Sequence, residues 1–242
     1  MKQTFYPLAL GLLLVSSCGK DKSGVAPVPE GEYESAATIL AAPITMYTKD
    51  GAVNDPAIVD RYLNRRPSTA SFFSRTATPV LYNIKITLRI KGNSKVDIIT
   101  VSSGRNDTLE TDITSQSSQY LVLSLKDTVK YASSGSASDR CERWGNVMLT
   151  DYPKTYCANV AQPSGNFQVC KFRPSRLVKL QDGALYIPQL STSSKIRGAS
   201  SNSFCSQAQA GTWNLFNLAC LNQLIAGDTI VVQERQIALS KK

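Results

Sequence analysis

Histidine is absent from all 242 residues, so the cysteines and carboxylates are the first candidates for any chemistry this chain performs. The cysteines are Cys18, Cys141, Cys157, Cys170, Cys205 and Cys220, and the last five are spaced by 16, 13, 35 and 15 positions. None forms the close Cys-x-x-Cys pairs that zinc sites use, and no metal or cofactor is expected. The lack of histidine also removes the commonest general base and the usual catalytic triads. No nucleophile elbow, phosphate-binding glycine loop or dinucleotide fingerprint occurs. Paired carboxylates could still serve a glycosidase. Glu110 and Asp112 share one strand face with Asp107 nearby, and Asp139 is close to Glu142. Each set reads more simply as a solvated edge or turn, which leaves a carboxylate-based hydrolase as the weakest of the functional classes.

The N-terminus carries a different kind of chemistry. Lys2 precedes an apolar run, Phe5–Val15, which is shorter than the ~20 residues needed to span a bilayer. The run closes on Val15-Ser16-Ser17-Cys18. This junction resembles the lipobox of bacterial lipoproteins. The resemblance implies that residues 1–17 are a signal peptide and that Cys18 is acylated and becomes the first mature residue. Several acyl chains on one cysteine give firm anchoring at ~0.8 kcal/mol per buried methylene. Residues 18–30 then read as the lipid-attachment cysteine and a flexible tether, rich in Gly, Lys, Ser and Pro. Lys20-Asp21-Lys22, just after the lipid cysteine, resembles the surface-export signals of some Gram-negative lipoproteins. The implied location is the cell envelope at the outer membrane, with either face open.

Export changes the reading of the remaining cysteines. In an oxidising compartment Cys141, Cys157, Cys170, Cys205 and Cys220 are disulfide candidates, and two bridges leave one thiol over. Cys205–Cys220 plus one bridge among the other three is the expectation, with the pairing otherwise open. Cys141 sits among charges in Asp139-Arg140-Cys141-Glu142-Arg143-Trp144. A nucleophilic role there competes poorly with structural bonding. Three tripeptides, Asp107-Thr108-Leu109, Asp127-Thr128-Val129 and Asp228-Thr229-Ile230, resemble the Asp-Thr-aliphatic acceptor of envelope O-glycosylation. An aspartate turn followed by a β-branched residue is also simply how strands begin.

Residues 31–242 read as one β-rich domain that must position these groups. Apolar content of 42% suffices for a core. The net charge of +9 comes from scattered Lys and Arg, which points to anionic envelope surfaces rather than nucleic acid. Asn54-Asp55-Pro56 signals a helix start, with Ile58, Val59, Tyr62 and Leu63 as its apolar stripe. Arg61, Arg65 and Arg66 favour its C-terminal end, and Pro67 is its stop. Val80, Tyr82, Ile84, Ile86, Leu88 and Ile90 alternate with polar residues as one long strand. Gly92-Asn93-Ser94 turns it into Val96–Val101. Further strands are expected at Glu32–Leu40, Ile44–Thr48, Thr108–Ile113, Tyr120–Leu125, Thr128–Ala132 and Val147–Thr150. The last group is Phe167–Phe172, Leu177–Gln181, Ala184–Leu190 and Thr229–Leu239. A short helix over Leu218–Ala226 would bury Leu218, Leu221, Leu224 and Ile225.

Antiparallel hairpins of this kind build an all-β barrel or sandwich, here with one early and one short late helix. The order of tether, strand, helix and meander resembles small lipocalin-like lipoproteins of bacterial envelopes. Gly31-Glu32-Tyr33 stands where that family carries Gly-x-Trp, and Gly211-Thr212-Trp213 has those letters near the other end. The expected function is a non-catalytic binding module for a small apolar or glycan ligand, lined by aromatics such as Tyr82, Tyr120 or Trp213. The alternative is a structural or assembly component that contacts another envelope protein.

Overall fold

The computed structural model describes residues 28–75, 80–81, 83–125, 129–133, 144–145, 147–150, 156–162, 165–172, 174–198 and 204–242. Residues 1–27, expected to hold the signal and most of the tether, lie outside them, as do Tyr82, Thr128, Asp139, Cys141 and Glu142. In chain order β1 (Gly31–Ser35), β2 (Thr38–Ala41), β3 (Thr45–Thr48) and β4 (Gly51–Val53) lead to helices α1 (Pro56–Asn64) and α2 (Pro67–Ala70). Next come β5 (Val80–Leu81), β6 (Lys85–Lys91), β7 (Lys95–Ser102), β8 (Arg105–Gln116) and β9 (Tyr120–Leu125). A separate three-stranded sheet holds β10 (Val129–Ser133), β11 (Tyr156–Gln162) and β12 (Gly165–Phe172). The chain ends with β13 (Ser175–Gln181), β14 (Ala184–Arg197), β15 (Phe204–Thr212), a 3-10 turn over Leu218–Gln223 and β16 (Thr229–Lys241).

All strand pairs between these elements are antiparallel, and eight strands close a barrel in the order β14-β13-β9-β8-β7-β6-β1-β16, with β16 pairing back onto β14. Alternation along each strand explains the closure. In β6, Ile86, Leu88 and Ile90 point inward while Lys85, Arg89 and Lys91 are exposed. Tyr33, Val96, Ile98, Leu121, Leu123, Val178, Leu185, Ile187, Ile237 and Leu239 join them in one buried cluster. Eight strands give an interior just wide enough for side chains to fill. Trp213 packs on this cluster, with the Arg176 guanidinium 4.8 Å from its ring centre. The Asp182-Gly183 turn joins β13 to β14 with both residues at positive φ, 51° and 77°, as a tight hairpin requires.

The β14–β16 ladder is longer than the barrel wall, running from Leu185↔Leu239 to Lys195↔Thr229. Beyond the barrel β15 flanks β14, while β3 flanks β16 and β4 extends it. This upper sheet is covered on both faces. Met46, Val59, Leu63, Phe73 and Val231 pack on the helix side. Trp144, Met148, Leu190, Ile196, Phe216, Cys220, Leu224, Ile230 and Val232 pack on the other.

Several elements differ from the expectation. Glu32–Leu40 is two strands, because the chain leaves the extended ladder at Ala36 and Ala37, between β1 and β2. The long strand from Val80 is likewise divided: β5 pairs β2, whereas β6 enters the barrel wall. Val147–Thr150 is not a strand: Trp144, Gly145 and Val147 are helical, and Leu149 makes only an isolated bridge to Phe216. Asp55 does cap α1, its Oδ1 accepting from Ala57 N at 2.8 Å, but Pro67 opens α2 as well as ending α1. The late helix is a tighter 3-10 turn, so its apolar residues fall differently. Leu218 and Ile225 are exposed, and Cys220 and Leu224 are buried.

Candidate functional site

Of the two carboxylate sets, only Glu110 and Asp112 with Asp107 fall among the described residues. Glu110 and Asp112 do share the outer face of β8, opposite Asp97 and Lys95 on β7, but that face is open barrel wall. Asp107 is exposed near the turn at the start of β8. Among the described residues no three His, Cys, Asp or Glu side chains gather to hold a metal ion. The barrel interior holds its own apolar side chains, and Trp213 is buried with them. Tyr120 is half-buried at the start of β9.

Among the described residues, concave surface opens outside the barrel where the chain crosses from β2 to β3. Both strands pair with β16, β2 at Arg235 and Gln236 and β3 at Thr229–Val232. Pro43 between them has no N–H to give, so the ladder breaks at residues 42–44. Three grooves open around this step, and Ala42 lines all of them. The first, about 320 Å³, lies against α1 and is lined by Ile44, Pro56 and Val59 with Asp60 and Arg75. Arg75 Nε is 3.2 Å from Asp60 Oδ1, and Arg75 also donates to Asn64. The second, about 250 Å³, is formed by Tyr47, Phe216, Leu218, Val232 and Glu234. Tyr47 and Phe216 stack there with ring centres 5.6 Å apart. The third, about 300 Å³, is bounded by Leu40, Pro188, Leu215, Lys179 and Glu234.

A buried amide holds the step in place. Gln233 Nε2 donates to Ala42 O at 2.9 Å and Ser74 O at 2.7 Å, and Ser74 N donates to Gln233 Oε1 at 2.7 Å. Glu234 fixes the far side, its Oε1 accepting from Phe216 N at 3.1 Å while its backbone O accepts from Ala42 N. Beside α1 the Arg66 guanidinium lies 4.1 Å from the Tyr62 ring centre. Burial pushes the Tyr62 hydroxyl up, opposed by the Arg66 charge. Gln233, Glu234 and Ala42 were not among the sequence candidates. The signal that could have found the step is Pro43 between two strand patterns.

The cysteines and threonines are placed as follows. Cys220 is a free thiol in the apolar cluster with Trp144, Met148 and Phe216, where it fills space as a small hydrophobe. Burial pushes it up to about 11. Cys205, on β15, is disulfide-bonded, so the expected Cys205–Cys220 bridge does not form and Cys220 is removed from the disulfide candidates. Cys157 on β11 and Cys170 on β12 are direct register partners. Thr108 is exposed on β8, whereas Thr229 is half-buried where β16 begins. Asp228 before it is buried, its Oδ1 accepting from Arg197 N and its Oδ2 from Ile225 N, both at 2.8 Å. That aspartate closes the turn into β16.

No protein-family model matches the chain, and neither a curated protein nor a solved structure was found to match it.

Proposed function

We propose that this chain is an exported lipoprotein held at the outer membrane through Cys18, and that its barrel is a non-catalytic module for docking another envelope protein. The observation that carries this reading is the pairing of a buried apolar cluster in the barrel interior with grooves that open outside it around residues 40–44. Those grooves are shallow and mix apolar with charged lining. Leu40 and Leu218, 47% and 62% exposed, project beside them. Exposed large apolar groups clustered around grooves are what a protein contact desolvates. A second reading, a small apolar or glycan ligand, rests on the groove beside α1, whose volume falls at the lower end of the ~300–1,000 Å³ typical of ligand pockets. Thr108, on the open wall, is the O-glycosylation acceptor of choice among the threonines placed here.

Two experiments test the reading. Cys18→Ser should move the protein from the membrane to the soluble fraction of the native host, and retention in the membrane refutes the anchor. A photocrosslinking residue at position 218 should capture a discrete protein partner in intact cells, whereas the same residue at Arg105, on the β7–β8 hairpin, should not. The double variant Leu40→Arg with Leu218→Arg should reduce capture at least tenfold without lowering the melting temperature. A small molecule that stays bound to that variant, with no crosslinked protein at 218 in the parent chain, replaces docking with the ligand reading.

A further inference from the structure

The register of the three-stranded sheet bears on the oxidation state of the chain. Cys157 and Cys170 are opposed Cα partners on β11 and β12, so the two residues share one register position and one face of the sheet. Directly opposed residues of an antiparallel pair have Cα atoms ~4.5 or ~5.5 Å apart, and both distances fall within the range a disulfide spans. Cys220 is withdrawn from pairing, free and enclosed by Trp144, Met148, Leu190 and Phe216.

We infer that Cys157 and Cys170 are joined by a disulfide across the β11–β12 hairpin, and that Cys220 is the thiol left over. Bond formation removes two protons and two electrons from the thiol pair. The electrons pass by thiol–disulfide exchange to a protein disulfide of the exported compartment, which becomes a dithiol. By count, Cys205 then takes Cys141, the remaining cysteine of the mature chain. This last step rests on Cys18 carrying lipid, whereas the hairpin bridge does not. The hairpin bridge locks the register of a sheet that, among the described residues, forms no ladder with the barrel sheet. The Cys205 bridge joins the chain to β15 from outside the hairpin. Cys220 stays reduced because burial keeps it protonated and out of reach, so it cannot scramble the pairs.

The test uses full-length protein recovered from the membrane of its host. It is alkylated first in the native state and then, with a heavier reagent, after unfolding without reductant. Non-reduced digestion and mass spectrometry should find Cys157 linked to Cys170, Cys141 linked to Cys205, and the heavier label on Cys220 alone. Single Cys157→Ser should make Cys170 newly alkylatable, while Cys157→Ser with Cys170→Ser should restore one labelled thiol. Any peptide linked through Cys220, or native labelling of Cys157 or Cys170, overturns the inference. A peptide linked through Cys18 refutes lipid attachment and the Cys141–Cys205 pair, and leaves the hairpin bridge to be judged on its own peptide.

Discussion

Strands β14 and β16 run side by side through two environments, and their residues change with the surroundings. In the barrel, burial is one-sided: Leu185 and Ile187 on β14, with Ile237 and Leu239 on β16, face the core, while Tyr186 and Gln236 are less buried on the outer side. Above the barrel, burial is two-sided, and β16 becomes the unbroken run Ile230-Val231-Val232. Its partner answers with Ser191, Thr192, Ser193 and Ser194, all buried. Small hydroxyl side chains allow α1 and α2 to approach one face and the Trp144–Met148 segment the other. Gln189, Ser191 and Gln233 form a polar boundary between the barrel core and the helix-side core.

The largest effect should separate these two regions. Ile237→Ala removes a fully buried side chain from the closed ring, at a cost of about 2–5 kcal/mol. The urea midpoint of the whole chain should fall with the slope unchanged. Leu63→Ala makes a comparable cavity under α1. There the damage should be local, with amide exchange accelerating in α1 and α2 but not in β7 or β8. Equal acceleration everywhere would show that barrel and upper layer are one cooperative unit, and the distinction would fail.

The boundary itself gives a smaller effect. Gln233→Ala removes the hydrogen bonds to Ser74 N, Ser74 O and Ala42 O together, and a group left buried without a partner costs about 1–3 kcal/mol. Water admitted from the neighbouring groove should reduce the sum, so we expect a total nearer one such group than three. Gln233→Glu keeps the shape but replaces the donating Nε2 with an acceptor, and should be worse than Ala. A melting temperature for Glu above that for Ala would assign the role to packing rather than to the amide.

The same contrast explains what the sequence disclosed. Period-two alternation in Ile86, Leu88 and Ile90, the Asp182-Gly183 turn and the Asp55-Pro56 cap were readable, because one-sided burial and local caps write themselves into residue order. The all-β architecture followed from them. Two-sided burial does not alternate, so the strand pattern that begins at Ala184 is visible only to Leu190, although β14 continues through Ser191–Ser194 to Arg197. β15, with Ser206, Gln207, Ala208 and Gln209, gives no strand signal for a different reason: it ends the sheet order and holds no fully buried residue, so no apolar face is written into it. Leu218, Leu221, Leu224 and Ile225 suggested an α-helical stripe, but a 3-10 turn aims them elsewhere. The grooves arise where β2 and β3 share β16, a long-range pairing that chain order does not contain. Cys205 and Cys220 are close in sequence, yet one is bonded elsewhere and the other is sealed in a core.

The smallest predicted effect lies on the barrel's outer wall, far from the upper layer, and concerns charge rather than volume. Glu32 accepts from Arg89 at 2.7 Å, and Glu34 is paired with Lys242 at 2.8 Å and Lys85 at 2.6 Å. The Arg89 hydrogen bond and charge hold Glu32 below the ordinary value of 4.5, and hydrogen bonds from Lys242 and Lys85 do the same for Glu34. A lowered carboxylate stabilises the fold above the unfolded value, and that contribution is lost as pH falls through the lower folded value. Lys242 is raised above 10.5, chiefly by its hydrogen bond to Glu34, so its contribution is complete below 10.5 and lost as pH rises through the folded value. Water reaches all of these groups, which keeps the gain small and sensitive to salt. Between pH 5 and the acid limb, the melting temperature should drop slightly more for the parent chain than for Arg89→Met. That difference should shrink between about 0.01 M and about 1 M salt, as the screening length falls roughly tenfold. A difference that survives high salt would mean that the short Arg89–Glu32 hydrogen bond, rather than the screened charge, carries the effect, and would make the barrel wall more like the buried upper layer than its charges suggest.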